Sequence, residues 1–161
     1  MTIEIGDRLP QTTFRIMTEE GPTPRTTDDI FKNRKVVLVG VPGAFTPSCH
    51  RNHLPGYLER IDELKAKGID AVIVTSVNDI FVLDAWSKAS GAQGKIEFLS
   101  DGNADFAKAT GLIFDGTGFG LGPRSQRYSM LVEDGTVRLL NVEESAGQVQ
   151  VASAEEMLAK L

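Results

Sequence analysis

Cys49, the only cysteine in the chain, is the residue whose type and position best suit it to chemistry. It stands in Val41-Pro42-Gly43-Ala44-Phe45-Thr46-Pro47-Ser48-Cys49-His50, behind a buried-strand pattern and inside the first turn of an expected helix. The free amides and the positive end of the helix dipole favour a thiolate over a thiol there, and the thiolate is the strong nucleophile. A lone cysteine is more often a small buried hydrophobe, but a place in the first turn behind a Pro-Gly loop argues against that reading. Thr46, three residues earlier, can cap the helix or offer its hydroxyl to a substrate oxygen beside the sulfur; the two roles are compatible. Pro42 ends the strand, and its ring would also shield one side of the sulfur from water.

Two histidines invite rival chemistry. His53 lies four residues after Cys49, so both can share a helix face. One reading makes His53 the base of a Cys–His hydrolase. The preferred one is a histidine that hydrogen-bonds locally and helps position the loop or kink. A zinc site from Cys49, His50 and His53 has three candidate ligands, two of them adjacent, and no second cysteine. No C-x-x-C pair exists for a dithiol carrier. No cofactor or metal is expected.

These residues need a strand and a helix to position them. Val36 to Val41 is short, continuous and β-branched, as suits a strand buried on both faces, and Pro42-Gly43 stops it. Thr46-Pro47 opens a helix towards Lys67, with Gly68 ending it and Pro55-Gly56 kinking or splitting it. Ile69 to Thr75 is a second buried strand, followed by an Asn78-Asp79 cap and a helix from Ile80 to Ala89. Ile96 to Leu99 is a third strand, and Asp101 to Gly111 holds a short helix. Tyr128 to Val132 and Thr136 to Val142 form a hairpin across Glu133-Asp134-Gly135, and Ser153 opens a closing helix. The pattern predicts one domain over 1–161, a three-layer α/β fold with a mixed central sheet. Ligands of such sheets collect at the carboxyl ends of the strands, where the Cys49 loop lies.

Gly116, Gly118, Gly120 and Gly122 lack the strand-turn-helix context of a phosphate loop, and Pro123 follows directly. A flexible surface loop is expected, and Phe119 and Leu121 in it would be exposed apolar groups of the kind that mark a contact surface.

The whole-chain numbers fit a soluble protein. Of 161 residues 41% are hydrophobic, and the formal charge is −5, which argues against a nucleic-acid surface. No apolar run is long enough to span a membrane, and the segment from Met1 to Asp7 has no signal-peptide pattern. An unpaired thiol suits a reducing compartment, so a cytoplasmic location is expected.

The stretch Pro42 to Cys49, continued by His53-Leu54-Pro55-Gly56-Tyr57, closely resembles the peroxiredoxin signature P-x-x-x-T-x-x-C. It looks most like the type II or five-like subfamily, whose loop reads PGAFTP and whose helix carries H-x-P-G. The likeness continues through Ser76-Val77-Asn78-Asp79 with Trp86, then Arg127-Tyr128-Ser129-Met130, and spans essentially the whole chain. It implies a thioredoxin-like fold, Cys49 as the peroxidatic cysteine, and Pro42, Thr46 and Arg127 as the other active-site residues. Arg127 could not be found from spacing, since an arginine before a strand is usually a solvated charge. The resemblance makes it the cation that favours the thiolate and holds a peroxide oxygen. Attack on a hydroperoxide would leave Cys49 as a sulfenic acid. No cysteine stands between Gly147 and Ser153 or shortly after Cys49, where relatives place a resolving one. The expectation is a one-cysteine enzyme reduced by an external thiol, glutathione with glutaredoxin before thioredoxin. The family's habit of forming a homodimer beside the active site assigns the Phe119 loop to that interface.

Overall fold

The computed structural model describes residues 2–161; Met1, part of the N-terminal segment read above, lies outside them. In chain order the elements are β1 (Thr13–Thr18), β2 (Gly21–Thr26), α1 (Thr27–Phe31) and β3 (Lys35–Gly40). After the Cys49 loop come a π-helical turn (Cys49–His53), α2 (Leu54–Glu59), α3 (Ile61–Ala66), β4 (Ala71–Ser76) and α4 (Ile80–Ala89). Then follow β5 (Glu97–Ser100), α5 (Asp105–Thr110), β6 (Ile113–Asp115) and β7 (Pro123–Ser125). The chain closes with β8 (Tyr128–Glu133), β9 (Thr136–Val142) and α6 (Ala154–Lys160).

Seven strands form one sheet in the order β2-β1-β5-β4-β3-β8-β9. β3 pairs β4 and β4 pairs β5 in parallel, while β8 runs antiparallel to β3. Helices cover both faces, so β3 is a continuous apolar run, as expected of a strand buried on both sides. Val37, Val39, Val72 and Val74 point to the face covered by Leu54, Tyr57, Leu64, Leu83, Trp86 and Met157. Val36, Leu38, Ile73 and Met130 point to the other, against Ile30, Phe31 and Phe106. This is the expected three-layer α/β fold with a mixed sheet.

Three features depart from the sequence reading. The β1–β2 hairpin and α1 were not anticipated, because β2 reads Gly-Pro-Thr-Pro-Arg-Thr and has no apolar face. Pro22 and Pro24 are tolerated because β2 is an edge strand, where missing N–H donors leave no ladder unpaired. The Gly116–Gly122 stretch is no open loop: β6 and β7 pair antiparallel around it, with a 3-10 turn at Thr117–Phe119. Gly116 donates to the Gly122 carbonyl at 2.7 Å, and a Cβ at Gly116 would stand 2.7 Å from that of Leu121.

The third departure lies in the segment after Cys49. The helix begins at Pro47, as expected, but Thr46 does not cap it with its side chain. Its hydroxyl donates backwards to the Gly43 carbonyl at 2.7 Å. The interruption falls just before Pro55, in the π turn where Leu54 N–H reaches back to the Cys49 carbonyl. Proline has no N–H and its ring crowds the preceding turn, so the wider π turn lets the chain enter α2 with Pro55 in its first turn.

Candidate active site

Topology brings the site together. The parallel strands β3 and β4 end at the Cys49 loop, and β8, running antiparallel, begins there. Gly40 at the end of β3 faces Tyr128 at the start of β8, so Arg127 arrives beside the loop. Cys49 and Arg127 are 78 residues apart in sequence, yet Arg127 Nη2 donates to Cys49 Sγ at 3.0 Å. Both side chains are buried. A guanidinium taken out of water needs partners for its donors, and each of its three nitrogens has one. Nε and Nη2 both donate to the Ala146 carbonyl, at 3.1 and 2.9 Å, and Nη1 donates to His53 Nδ1 at 2.9 Å.

These partners fix the state of His53. Arginine has no acceptor, so Nδ1 must accept the hydrogen bond from Arg127 and Nε2 must carry the ring hydrogen. Nε2 then donates to the Ala152 carbonyl at 2.8 Å. Burial lowers the His53 pKa to about 3, helped by the neighbouring Arg127 charge, so the ring is neutral near neutral pH. Its single lone pair is engaged by Arg127, leaving none for a sulfur proton. The hydrolase reading loses its base, and the local role expected of His53 takes a specific form: it holds the arginine.

Zinc ligation meets the same difficulty. His50 Nδ1 accepts from Trp86 Nε1 at 3.0 Å, and both His53 nitrogens are committed. Among the described residues no three acidic, histidine or cysteine side chains cluster to hold a metal.

The loop around the sulfur is held from three sides. Asn78, just past β4, accepts from Ala44 N–H at 2.9 Å and from the Ser76 hydroxyl at 2.8 Å. Arg124 Nη1 donates to the carbonyl of buried Pro42 at 3.4 Å. Ser48 Oγ donates to the Gly147 carbonyl at 3.0 Å, tying the loop to the segment between β9 and α6. Phe45 adopts φ 63° and lays its half-exposed ring against His50 and Trp86, with centroids 5.6 and 6.4 Å away. A bulky residue in the left-handed region costs on the order of 1–3 kcal/mol, so the surrounding bonds must overdetermine this turn.

Pro42, Thr46 and Cys49 thus share one loop and Arg127 joins them from the residue just before β8. Among the described side chains, Arg127 is the hydrogen-bond partner of the sulfur. The Thr46 hydroxyl faces Gly43, so it must rotate before it can donate to a bound oxygen. Sequence reasoning missed Arg124 and the hydrogen-bonding role of Asn78 in the loop. Position at the carboxyl end of β4, inside the expected ligand crevice, was a usable signal for Asn78; Arg124 gave none.

Chemically, the arrangement offers a nucleophilic sulfur, a fixed cation donating to it, and a movable hydroxyl on one loop. The Redoxin family model matches residues 4–158. The chain is 44% identical to Peroxiredoxin-2E-2, chloroplastic, of Oryza sativa subsp. japonica, over 99% of this chain and 73% of that protein. Its fold superposes on reduced Prx3 from Vibrio vulnificus in complex with hydrogen peroxide with a TM-score of 0.93, at 46% identity and 99% coverage of both chains. The 1-Cys peroxiredoxin antioxidant protein of Plasmodium falciparum matches with a TM-score of 0.90, at 28% identity and 96% coverage of both. With the signature loop, the fold and these relatives in agreement, the chain belongs to the Redoxin family and is a peroxiredoxin, a thiol-dependent peroxidase.

Proposed function

We propose that the chain, acting as one domain over 1–161, reduces hydrogen peroxide and organic hydroperoxides through Cys49, with Pro42, Thr46 and Arg127 completing the catalytic site. The observation that carries this reading is the 3.0 Å bond from Arg127 Nη2 to the buried Cys49 Sγ. The thiolate attacks one peroxide oxygen in line. Its electron pair forms the S–O bond, the O–O bond breaks, and the leaving oxygen departs with the other pair and takes up a proton as water or alcohol. The guanidinium and a rotated Thr46 hydroxyl donate to oxygen as that charge develops, which lowers the barrier more than it stabilises the bound substrate. A favoured thiolate alone does not explain speed, because nucleophilicity falls with basicity. The Pro42 ring keeps water from one side of the sulfur.

The product is Cys49 sulfenic acid. With one cysteine in the chain, an external thiol must attack that sulfur, expel water and form a mixed disulfide; a second thiol then releases the Cys49 thiol. Glutathione with glutaredoxin is the proposed reductant ahead of thioredoxin, in a reducing compartment such as the cytoplasm. A homodimer contact is proposed at the β6–β7 ribbon, where Phe119 is 78% exposed and stacks on Phe114 beside the site.

The test is to mix reduced protein with one equivalent of hydrogen peroxide and trap the sulfur with dimedone before intact-mass analysis. A trapped sulfenic acid on Cys49, reversed by glutathione plus glutaredoxin, is the expected result. Reversal by thioredoxin alone would leave the peroxidase reading and remove the reductant. Cys49 remaining a thiol would remove both. Sedimentation at micromolar concentration tests the dimer, and a monomer there ends that proposal.

A further inference from the structure

The segment between β9 and α6 supplies two carbonyls to the site. Ala146 O receives Nε and Nη2 of Arg127, and Ala152 O receives Nε2 of His53, which in turn holds Nη1 of Arg127. Of the four hydrogen bonds that the guanidinium makes, all but the one to Cys49 are therefore set, directly or through one ring, by residues 146–152. Such a segment has no ladder of its own to hold its shape. Ser48 ties its middle through the Gly147 carbonyl and Gln148 N–H turns back to the Ser145 carbonyl, but its two ends are joined by Glu143.

Glu143 is 8% exposed and stands at the root of the segment, its own N–H donating to the Arg127 carbonyl at 3.0 Å. Its Oε2 accepts from Gln150 N–H at 2.6 Å and from Ala152 N–H at 2.8 Å, drawing the far end of the segment back onto its start. One buried side-chain oxygen that receives two short amide bonds clasps both ends of the segment. Ala152, which gives its N–H to Glu143, gives its carbonyl to His53 and to the Tyr57 hydroxyl, the latter at 2.9 Å. One connected path runs from the Glu143 carboxylate through the backbone of Ala152 and the ring of His53 to Arg127 and the sulfur.

We propose that Glu143 is a positioning residue for peroxide reduction: it closes the 143–152 segment so that Ala146 and Ala152 aim the Arg127 guanidinium at Cys49. Glu143 touches neither sulfur nor peroxide. The inference rests on the reading of Cys49 as the nucleophile, and it assigns a part of the machinery that the signature loop does not contain.

Three variants test it: Glu143→Ala removes the acceptor, Glu143→Asp withdraws it by one methylene, and Glu143→Gln keeps an oxygen in place. For each, the second-order rate constant of sulfenic acid formation, the ultraviolet absorbance of the Cys49 thiolate at neutral pH and the melting temperature are measured, beside wild type and Cys49→Ser. Misplacing a positioning group by ~1 Å costs up to roughly 100-fold in rate, so Glu143→Ala and Glu143→Asp should lose about tenfold or more, with less thiolate absorbance. Glu143→Gln should stay within about threefold of wild type, because an amide oxygen can accept the same two N–H groups. If the alanine variant does not fold, the contrast between aspartate and glutamine decides. Variants that melt lower but keep the wild-type rate and thiolate absorbance would reduce Glu143 to a structural residue and overturn the proposal. A wild-type protein as inert as Cys49→Ser would instead remove the underlying peroxidase reading.

Discussion

Arg127 Nη1 donates to His53 Nδ1 at 2.9 Å, a bond that settles the tautomer of the histidine and, with the Ala146 carbonyl, aims the arginine. An arginine held only by water would sample many rotamers over a sulfur. Held by His53 and by Ala146, it keeps one Nη2 N–H aimed at Cys49.

Arg127→Lys should therefore fail almost as badly as Arg127→Ala. A lysine carries the charge but cannot reach Ala146, His53 and Cys49 at once, because it has no planar fork. Loss of a preorganised donor to a developing oxyanion costs about 100- to 1000-fold in turnover, and both variants should fall in that range. Steady-state peroxide consumption with a saturating thiol reductant measures it. A lysine variant within about threefold of wild type would show that charge alone suffices.

His53 also makes stability depend on pH. Its pKa is about 3 in the folded chain, lowered first by burial, against 6.5 for the free side chain. Between those values the unfolded chain binds a proton that the folded chain refuses, so stability falls as the pH falls through this window. The slope approaches about 1.4 kcal/mol per pH unit, or roughly 2 kcal/mol lost by about pH 5, above the range where carboxylates titrate. His53→Gln, which keeps an acceptor and a donor but does not titrate, should flatten the curve between about pH 7 and about pH 5. Urea unfolding at several pH values checks it, and equal slopes in the two proteins would refute the assignment.

Gly40 admits no side chain. A Cβ there would lie 2.1 Å from the Tyr128 ring, which crosses the sheet at the point where β3 meets β8. Tyr128 is buried, so it cannot swing into solvent. Gly40→Ala should destabilise by about 3 kcal/mol, the upper range of overpacking, and lower the melting temperature by several degrees. Because β8 carries Arg127 to the site, peroxidase activity should fall with it. An alanine variant with wild-type melting temperature and rate would contradict this.

Trp86, the one tryptophan, reports on the site optically. Its Nε1 donates to His50, the neighbour of Cys49, and its ring lies against Phe45 of the loop. Forming a sulfenic acid in a fully buried space must displace some of these groups. Stopped-flow emission should change as peroxide is added to wild type and stay constant in Cys49→Ser. A constant signal in both, with sulfenic acid forming, would mean that the loop does not move.

Much of this protein was legible in the order of its residues. The buried strand Val36 to Val41, the Pro-Gly stop and Pro47 at a helix start together placed Cys49 in a first turn at the carboxyl end of a sheet, because those signals act over a few neighbouring residues. The Asp79 and Ser153 caps and the Asp134-Gly135 hairpin were readable for the same reason. Strand β2 and the β6–β7 ribbon were not, since their pairing depends on partners rather than on an apolar pattern of their own. The partners of Cys49 were least legible of all. Arg127, His53, Ala146, Ala152 and Glu143 meet only because β8 runs antiparallel beside β3 and the chain after β9 folds back over the loop. A hydrogen bond is decided within a few tenths of an ångström, while sequence spacing fixes position only within one element. The sequence by itself determined where the one cysteine stands and the loop that carries it; the tertiary structure alone decided which groups hold the cation against the sulfur.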